Sequence, residues 1–208
     1  MTLVAVEDLY RPYKQKRRTR ATIAKEKGLE GLANIIWLQM TKQSIEEEAK
    51  AYLNEEKGVT SVEDAIQGAK DILAETVSDQ AQYRTWIRNI TWKEGILTST
   101  AKDPEAESVY EMYYDFQEGV AKMAGYRILA VNRGEKEKIL TVKLQAPEEK
   151  ILNYLEKQVI VKDNPITTPI LKDICEDSYH RLIADSIERD IRNEMTEHAE
   201  DGAIEVFG

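Results

Sequence analysis

Apolar positions recur every three or four residues over most of the chain, the spacing at which side chains share one face of an α-helix. Thr19 precedes a short stretch that closes at Gly28, which predicts a helix with a threonine N-cap and a glycine just past its end. Leu29, Leu32, Ala33, Ile36 and in part Ile35 give the stripe of a second helix. Ser44-Ile45-Glu46-Glu47 has the form of a capping box, with Ile45, Ala49, Tyr52 and Leu53 facing inward and Gly58 as the stop. Thr60 or Ser61 then caps a helix whose buried side is Val62, Ala65, Ile66, Ala69, Ile72 and Leu73. Gly68 within it points to close approach by another helix, because glycine there otherwise costs about 1 kcal/mol relative to alanine. Ser78 is placed at the start of a further helix carrying Tyr83, Trp86, Ile87 and Ile90.

Between Gly95 and Gly125 the period is lost, and an aromatic group at Tyr110, Tyr113, Tyr114 and Phe116 follows a polar stretch. This reads as a surface insertion with partial packing. A small β element is expected over residues 127–145. In one form Arg133-Gly134-Glu135 turns a hairpin between ILAV and ILTVKL; in the other the first half is helical and only LTVKL is extended. Thr168 before Pro169 starts the last pattern, where Leu171, Ile174, Cys175, Tyr179, Leu182, Ile183, Ile187, Ile191 and Met195 predict one long helix, or two joined near Asp185. The fold class is therefore mainly α and multi-helical. Three regions are expected: helical 1–94, insertion-like 95–165, and long-helical 166–208. No period of 20 to 50 residues marks a repeat solenoid.

Composition narrows the picture. The chain has 208 residues, 42% of them hydrophobic, enough for one core or two smaller ones. No apolar run nears the roughly 20 residues of a membrane span, and no secretory signal opens the sequence, so a cytoplasmic address is expected. A single cysteine excludes an intramolecular disulfide and a paired-cysteine zinc site. The net charge of -9 argues against affinity for nucleic acid over the whole surface.

Charge is nonetheless uneven. From residue 11 to residue 20 the chain reads RPYKQKRRTR, so Arg11, Lys14, Lys16, Arg17, Arg18 and Arg20 stand together without an acid among them. With Thr19 capping the helix that follows, free N–H groups beside guanidinium groups suit a phosphate. Tyr10 and Tyr13 add surface for stacking a base. The alternative is that nearby carboxylates pair with these arginines. Arg133, Lys136 and Lys138 form a second, weaker cationic set, interleaved with Glu135 and Glu137 as on a solvated face. His180 and His198 are too far apart for an i, i+4 metal pair, and neither a phosphate-binding glycine loop nor a nucleophile motif is present. No cofactor, metal or catalysis is expected.

Four segments, VEDLYRPYKQKRRTRATIAKEKGLEGLA, AYLNEEKGVTSVEDAIQGAKDILAE, RILAVNRGEKEKIL and RLIADSIERDIRNEMTEHAEDGAIEVF, resemble the Tex family of bacterial transcription accessory proteins. They run from Val6 to Phe207. The resemblance implies a helical region that precedes, in longer members, a resolvase-like domain, helix-hairpin-helix modules and an OB-fold RNA-binding domain, and that this chain is a piece of such a protein. Two positions depart from the family pattern. Asp185 stands where a proline is common, which softens a helix break, and Gly125-Tyr126 stands where Ser-His is common. The resemblance implies a non-catalytic transcription factor with RNA or DNA, and the transcription machinery, as partners. The other reading is a protein-interaction scaffold that positions neighbouring domains without touching nucleic acid.

Overall fold

A computed structural model describes residues 18–207, with side chains to residue 202, so Arg11, Lys14, Lys16 and Arg17 lie outside the described residues. Among the described residues no helix is long and apolar enough to cross a membrane. The chain divides into two compact units, one built from 1–85 and 152–185 and the other from 86–151 and 186–208.

The first unit gathers around one helix. Helix α1 (Arg20–Glu26), α2 (Glu30–Leu38) and α3 (Ile45–Lys50) precede α4 (Val62–Ser78), and α4 packs against all three as well as α8 (Thr168–Asp177). Its buried side is Ala65, Ala69, Ile72, Leu73, Ala74 and Val77, mostly small residues that let neighbours come close. A Cβ added at Gly68 would overlap Leu29 Cδ1 and lie 3.3 Å from Ala24 Cβ, so the expected close crossing is made by α1 and the turn after it. The capping expectations hold at three sites: Thr19 accepts from the Thr22 N–H (3.2 Å), Ser44 from Glu47 (3.2 Å) and Ser61 from Asp64 (3.1 Å). Ser78 differs, since its hydroxyl donates back to the Glu75 carbonyl (2.8 Å) and closes α4, and α5 (Ala81–Glu94) starts later.

Gln39 ends α2 in the left-handed region (φ 57°) and is buried. Its side-chain amide donates to the Val159 carbonyl (2.9 Å) at the end of α7 (Glu148–Val159), and its Oε1 accepts the N–H groups of Val161 (3.0 Å) and Lys162 (3.2 Å). Asn164 Nδ2 donates to the Gln39 carbonyl (3.1 Å), while its Oδ1 accepts from Ile166 and Thr167 (2.9 and 3.2 Å). That explains a departure at α8. The helix begins at Thr168, one residue before the proline, and no threonine hydroxyl caps it; the Thr167 and Thr168 hydroxyls are buried without hydrogen-bond partners.

No break falls at Asp185. Instead α8 passes into a π-helical turn, Ser178–Ile183, and on into α9 (Ala184–Phe207). A π turn frees carbonyls from the α pattern. Arg84, only 1% exposed, uses one of them, donating from Nη2 to the Leu182 carbonyl (3.0 Å) and from Nε to Ser78. Ser178 donates to the Ala74 carbonyl of α4 (2.7 Å).

The second unit carries an antiparallel sheet in the order β2-β1-β3, where β1 is Ile96–Ala101, β2 Asp115–Gly119 and β3 Leu140–Gln145. Leu97 faces Leu144 and Glu118, and Ser99 faces Val142 and Phe116, so alternate residues line one buried side. The small β element is thus present, but larger than residues 127–145. Residues 95–125 supply two of its strands rather than a surface insertion: Tyr110 and Tyr113 are buried, and Ser99 donates to the Tyr113 carbonyl (2.8 Å). RILAV is helical, within α6 (Gly125–Lys136). Gly134 is not a hairpin turn there; it is buried in the helix because Leu140 and Tyr110 cross it, and a Cβ would lie 3.3 Å from the Tyr110 ring.

Candidate nucleic-acid interface

The N-terminal cationic stretch is described only at its end. Arg18 holds Glu26 in a two-point contact, Nη2 to Oε2 at 2.7 Å and Nη1 to Oε1 at 3.2 Å, with both side chains at least half exposed. Such a pair is screened by water and leaves Arg18 reachable. Thr19 caps the seven-residue α1 and donates to Glu75 Oε2 at 2.7 Å, which sets a carboxylate beside the helix start. Arg20 is exposed on the rim of a cleft that also carries Asp64 and Asp71. The Asp177 carboxyl is held below its usual range chiefly by the hydrogen bond from Arg181, with a smaller contribution from the charges of Arg181, Arg20 and Lys70. Acidic side chains therefore surround the described part of this stretch.

The second set is arranged differently. α6 ends in a Schellman pattern, with Ile139 N–H on the Gly134 carbonyl (2.9 Å) and Lys138 N–H on the Glu135 carbonyl (3.0 Å). Lys138 has φ 64°, a left-handed position that glycine usually takes. Arg133, Lys136 and Lys138 are exposed, and among the described residues none of them forms an ion pair. Of the interleaved carboxylates, Glu135 is held. Glu135 accepts from Arg192 Nη2 at 2.8 Å, and that nitrogen also donates to Asn132 Oδ1 at 3.0 Å. Asn132 in turn donates to Thr196 Oγ1 (2.8 Å), which donates to the Arg192 carbonyl (2.9 Å). The Glu137 carboxylate near the Tyr110 phenol, together with burial, raises the tyrosine pKa. Lys102, exposed, donates its backbone N–H to the Ile139 carbonyl (3.0 Å) and so adds a lysine beside Lys138; Asp103 and Glu105 follow in the next turn.

Sequence reasoning found the three cations but neither the residue that engages Glu135 nor Lys102. Arg192 lies 57 positions from Glu135, so no local pattern links them. Among the described residues no three His, Cys, Asp or Glu side chains cluster to hold a metal ion. His198 lies against Trp92 (ring centroids 5.5 Å) and Cys175 is buried.

Residues 40–207 match the model of the Tex central region-like family. The uncharacterized protein YdcI of Bacillus subtilis is 49% identical over 208 residues, which cover 99% of this chain and 29% of that protein. The transcriptional accessory protein Tex of Neisseria gonorrhoeae is 35% identical over 98% of this chain and 27% of its own length. The human S1 RNA-binding domain-containing protein 1 is 27% identical over the whole chain and 22% of its own length. The chain thus spans under a third of these relatives. The family match covers both units, from the turn after α2 to the end of α9, and on that match the chain belongs to the Tex central region-like family.

Proposed function

We propose that this chain is the central part of a transcription accessory factor and associates, without catalysing a reaction, with RNA or DNA. Its contacts are the cations of two stretches: Arg11, Lys14, Lys16, Arg17, Arg18 and Arg20, and Arg133, Lys136 and Lys138. The observation that carries the reading is the exposure of Arg18, Arg20, Arg133, Lys136 and Lys138 on a chain of net charge -9. Phosphate contacts of this kind release counterions and give salt-dependent, sequence-independent affinity. Support also comes from relatives named for transcription and for an S1 RNA-binding domain.

The test is a fluorescence-anisotropy titration of the 208-residue chain with single- and double-stranded DNA and RNA between 20 and about 200 mM salt. Affinity that falls steeply with salt is the expected result. A flat anisotropy at micromolar protein and low salt would refute the proposal. It would favour a scaffold that positions neighbouring domains, a reading supported by the exposed side chains of Leu38 and Met40 on the first unit.

A further inference from the structure

Resting on the nucleic-acid reading just given, we infer that the turn joining α6 to β3 is a phosphodiester-backbone contact. Its lysines and arginine outnumber the carboxylates left among them, because Arg192 engages Glu135.

In sequence, Arg133-Gly134-Glu135-Lys136-Glu137-Lys138 is a balanced alternation, and balance would cancel any field. In space the balance is broken. Glu135 is held by Arg192, itself anchored by Asn132 from the neighbouring turn of α6. The Tyr110 ring lies against the buried Gly134. One of the two carboxylates is thus held by a fixed cation, which leaves Glu137 alone in the run against three cations. Arg133, Lys136 and Lys138 keep their full charge toward solvent, with Lys102 beside them and Asp103 and Glu105 as the nearest opposing charges in sequence.

A second observation concerns Lys138. It occupies a left-handed backbone position where the fold favours glycine, and among the described residues its side chain has no hydrogen bond or ion pair. Folding alone gives no reason for a lysine there, whereas an anion contact does. The helix end itself does not attract anions, since its carbonyls carry the negative end of the dipole. The side chains must therefore reach beyond it, as the long lysine and arginine stems allow. Flexible ammonium and guanidinium tips on an exposed turn suit phosphate oxygens whatever the base, so the contact is to the backbone, not to sequence.

The experiment uses the whole 208-residue chain and two unrelated single-stranded oligonucleotides, one DNA and one RNA. R133A/K136A/K138A is expected to lose about tenfold in affinity for both and to lower the salt slope by roughly two to three. Lys138→Gly suits the backbone, so it keeps the fold and lowers the slope by about one. R192A frees Glu135 and is expected to weaken binding about threefold; adding E135Q restores most of it, since the freed charge is then gone. A rescue by E135Q is not expected if Arg192 itself touches phosphate. If wild type binds but the triple variant and Lys138→Gly bind with unchanged affinity and slope, this inference fails while the broader reading stands. If wild type binds neither oligonucleotide, both fail.

Discussion

Replacing Gln39 with alanine removes a side chain that serves the end of α2 and the segment after α7 together. Four hydrogen bonds disappear: two donated, to the Val159 and Trp37 carbonyls, and two accepted, from Val161 and Lys162. At about 1 kcal/mol net for each of the three that reach the segment after α7, with water able to replace the fourth at the half-buried Trp37 carbonyl, the loss is about 3 kcal/mol. Water reaches the Val161 and Lys162 end more easily than the Val159 carbonyl, so the value is an upper bound. Backbone geometry makes the series sharper. Gln39 sits at φ 57°, ψ 37°, which costs a non-glycine residue about 1 kcal/mol, and alanine inherits that cost while glycine does not. Gln39→Gly is therefore expected to lose only about 2 kcal/mol despite removing the same bonds. For a chain of this size about 3 kcal/mol lowers Tm by roughly 6 to 12 °C. Thermal melts followed by far-ultraviolet circular dichroism of wild type, Gln39→Ala and Gln39→Gly measure both the drop and the order. An alanine variant melting within about 2 °C of wild type, or a glycine variant melting below it, would refute the reasoning.

Gly68→Ala is expected to destabilise by about 1 kcal/mol in urea titrations: alanine gains roughly 1 kcal/mol of helix propensity, but its Cβ collides with Leu29 and overpacking costs about 1 to 3 kcal/mol. Thr167→Val should raise stability by about 1 kcal/mol, because it deletes a buried hydroxyl that has no partner and keeps the shape; a lowered Tm would count against that account. Burial pushes the Cys175 thiol up to about 12, so it should resist alkylation at pH 9 in the native protein and react at once in guanidinium. The same shift stabilises the fold fully below about pH 8.5, the ordinary thiol value, and that contribution fades as pH rises toward the folded value; Cys175→Val should show a flatter alkaline limb.

Helical periodicity made most of the first unit legible. Thr19, Ser44 and Ser61 each have a side-chain oxygen that satisfies a free N–H two or three residues on, a local rule that needs no tertiary context. What was not legible depended on distant partners. Asn164 replaces the threonine cap at α8, and Gln39 binds a segment 120 residues away. In the second unit the sequence left open whether Gly134 turns a hairpin or sits in a helix, and it is the helix that forms, because Leu140 and Tyr110 require the missing Cβ; the chain reverses at Lys138, where a lysine adopts the unusual φ. β1 and β2 are short and rich in threonine, serine and acids, so their alternation is weak until β3 is paired beside them. The cationic sets were visible as composition. Which of them escapes its carboxylates was not, because that depends on Arg192.

The π turn between α8 and α9 works as a spare link. Shortening an ordinary α-helix by one residue rotates everything beyond the cut by about 100°, which would carry Ile187, Ile191 and Met195 off the side they bury. A residue removed within Ser178–Ile183 instead lets the wide turn relax to a regular one, and the far half of the rod keeps its phase. A one-residue deletion should therefore be better tolerated at that turn than in the regular helix on either side of it, at the expense of the bond from Arg84 to the Leu182 carbonyl.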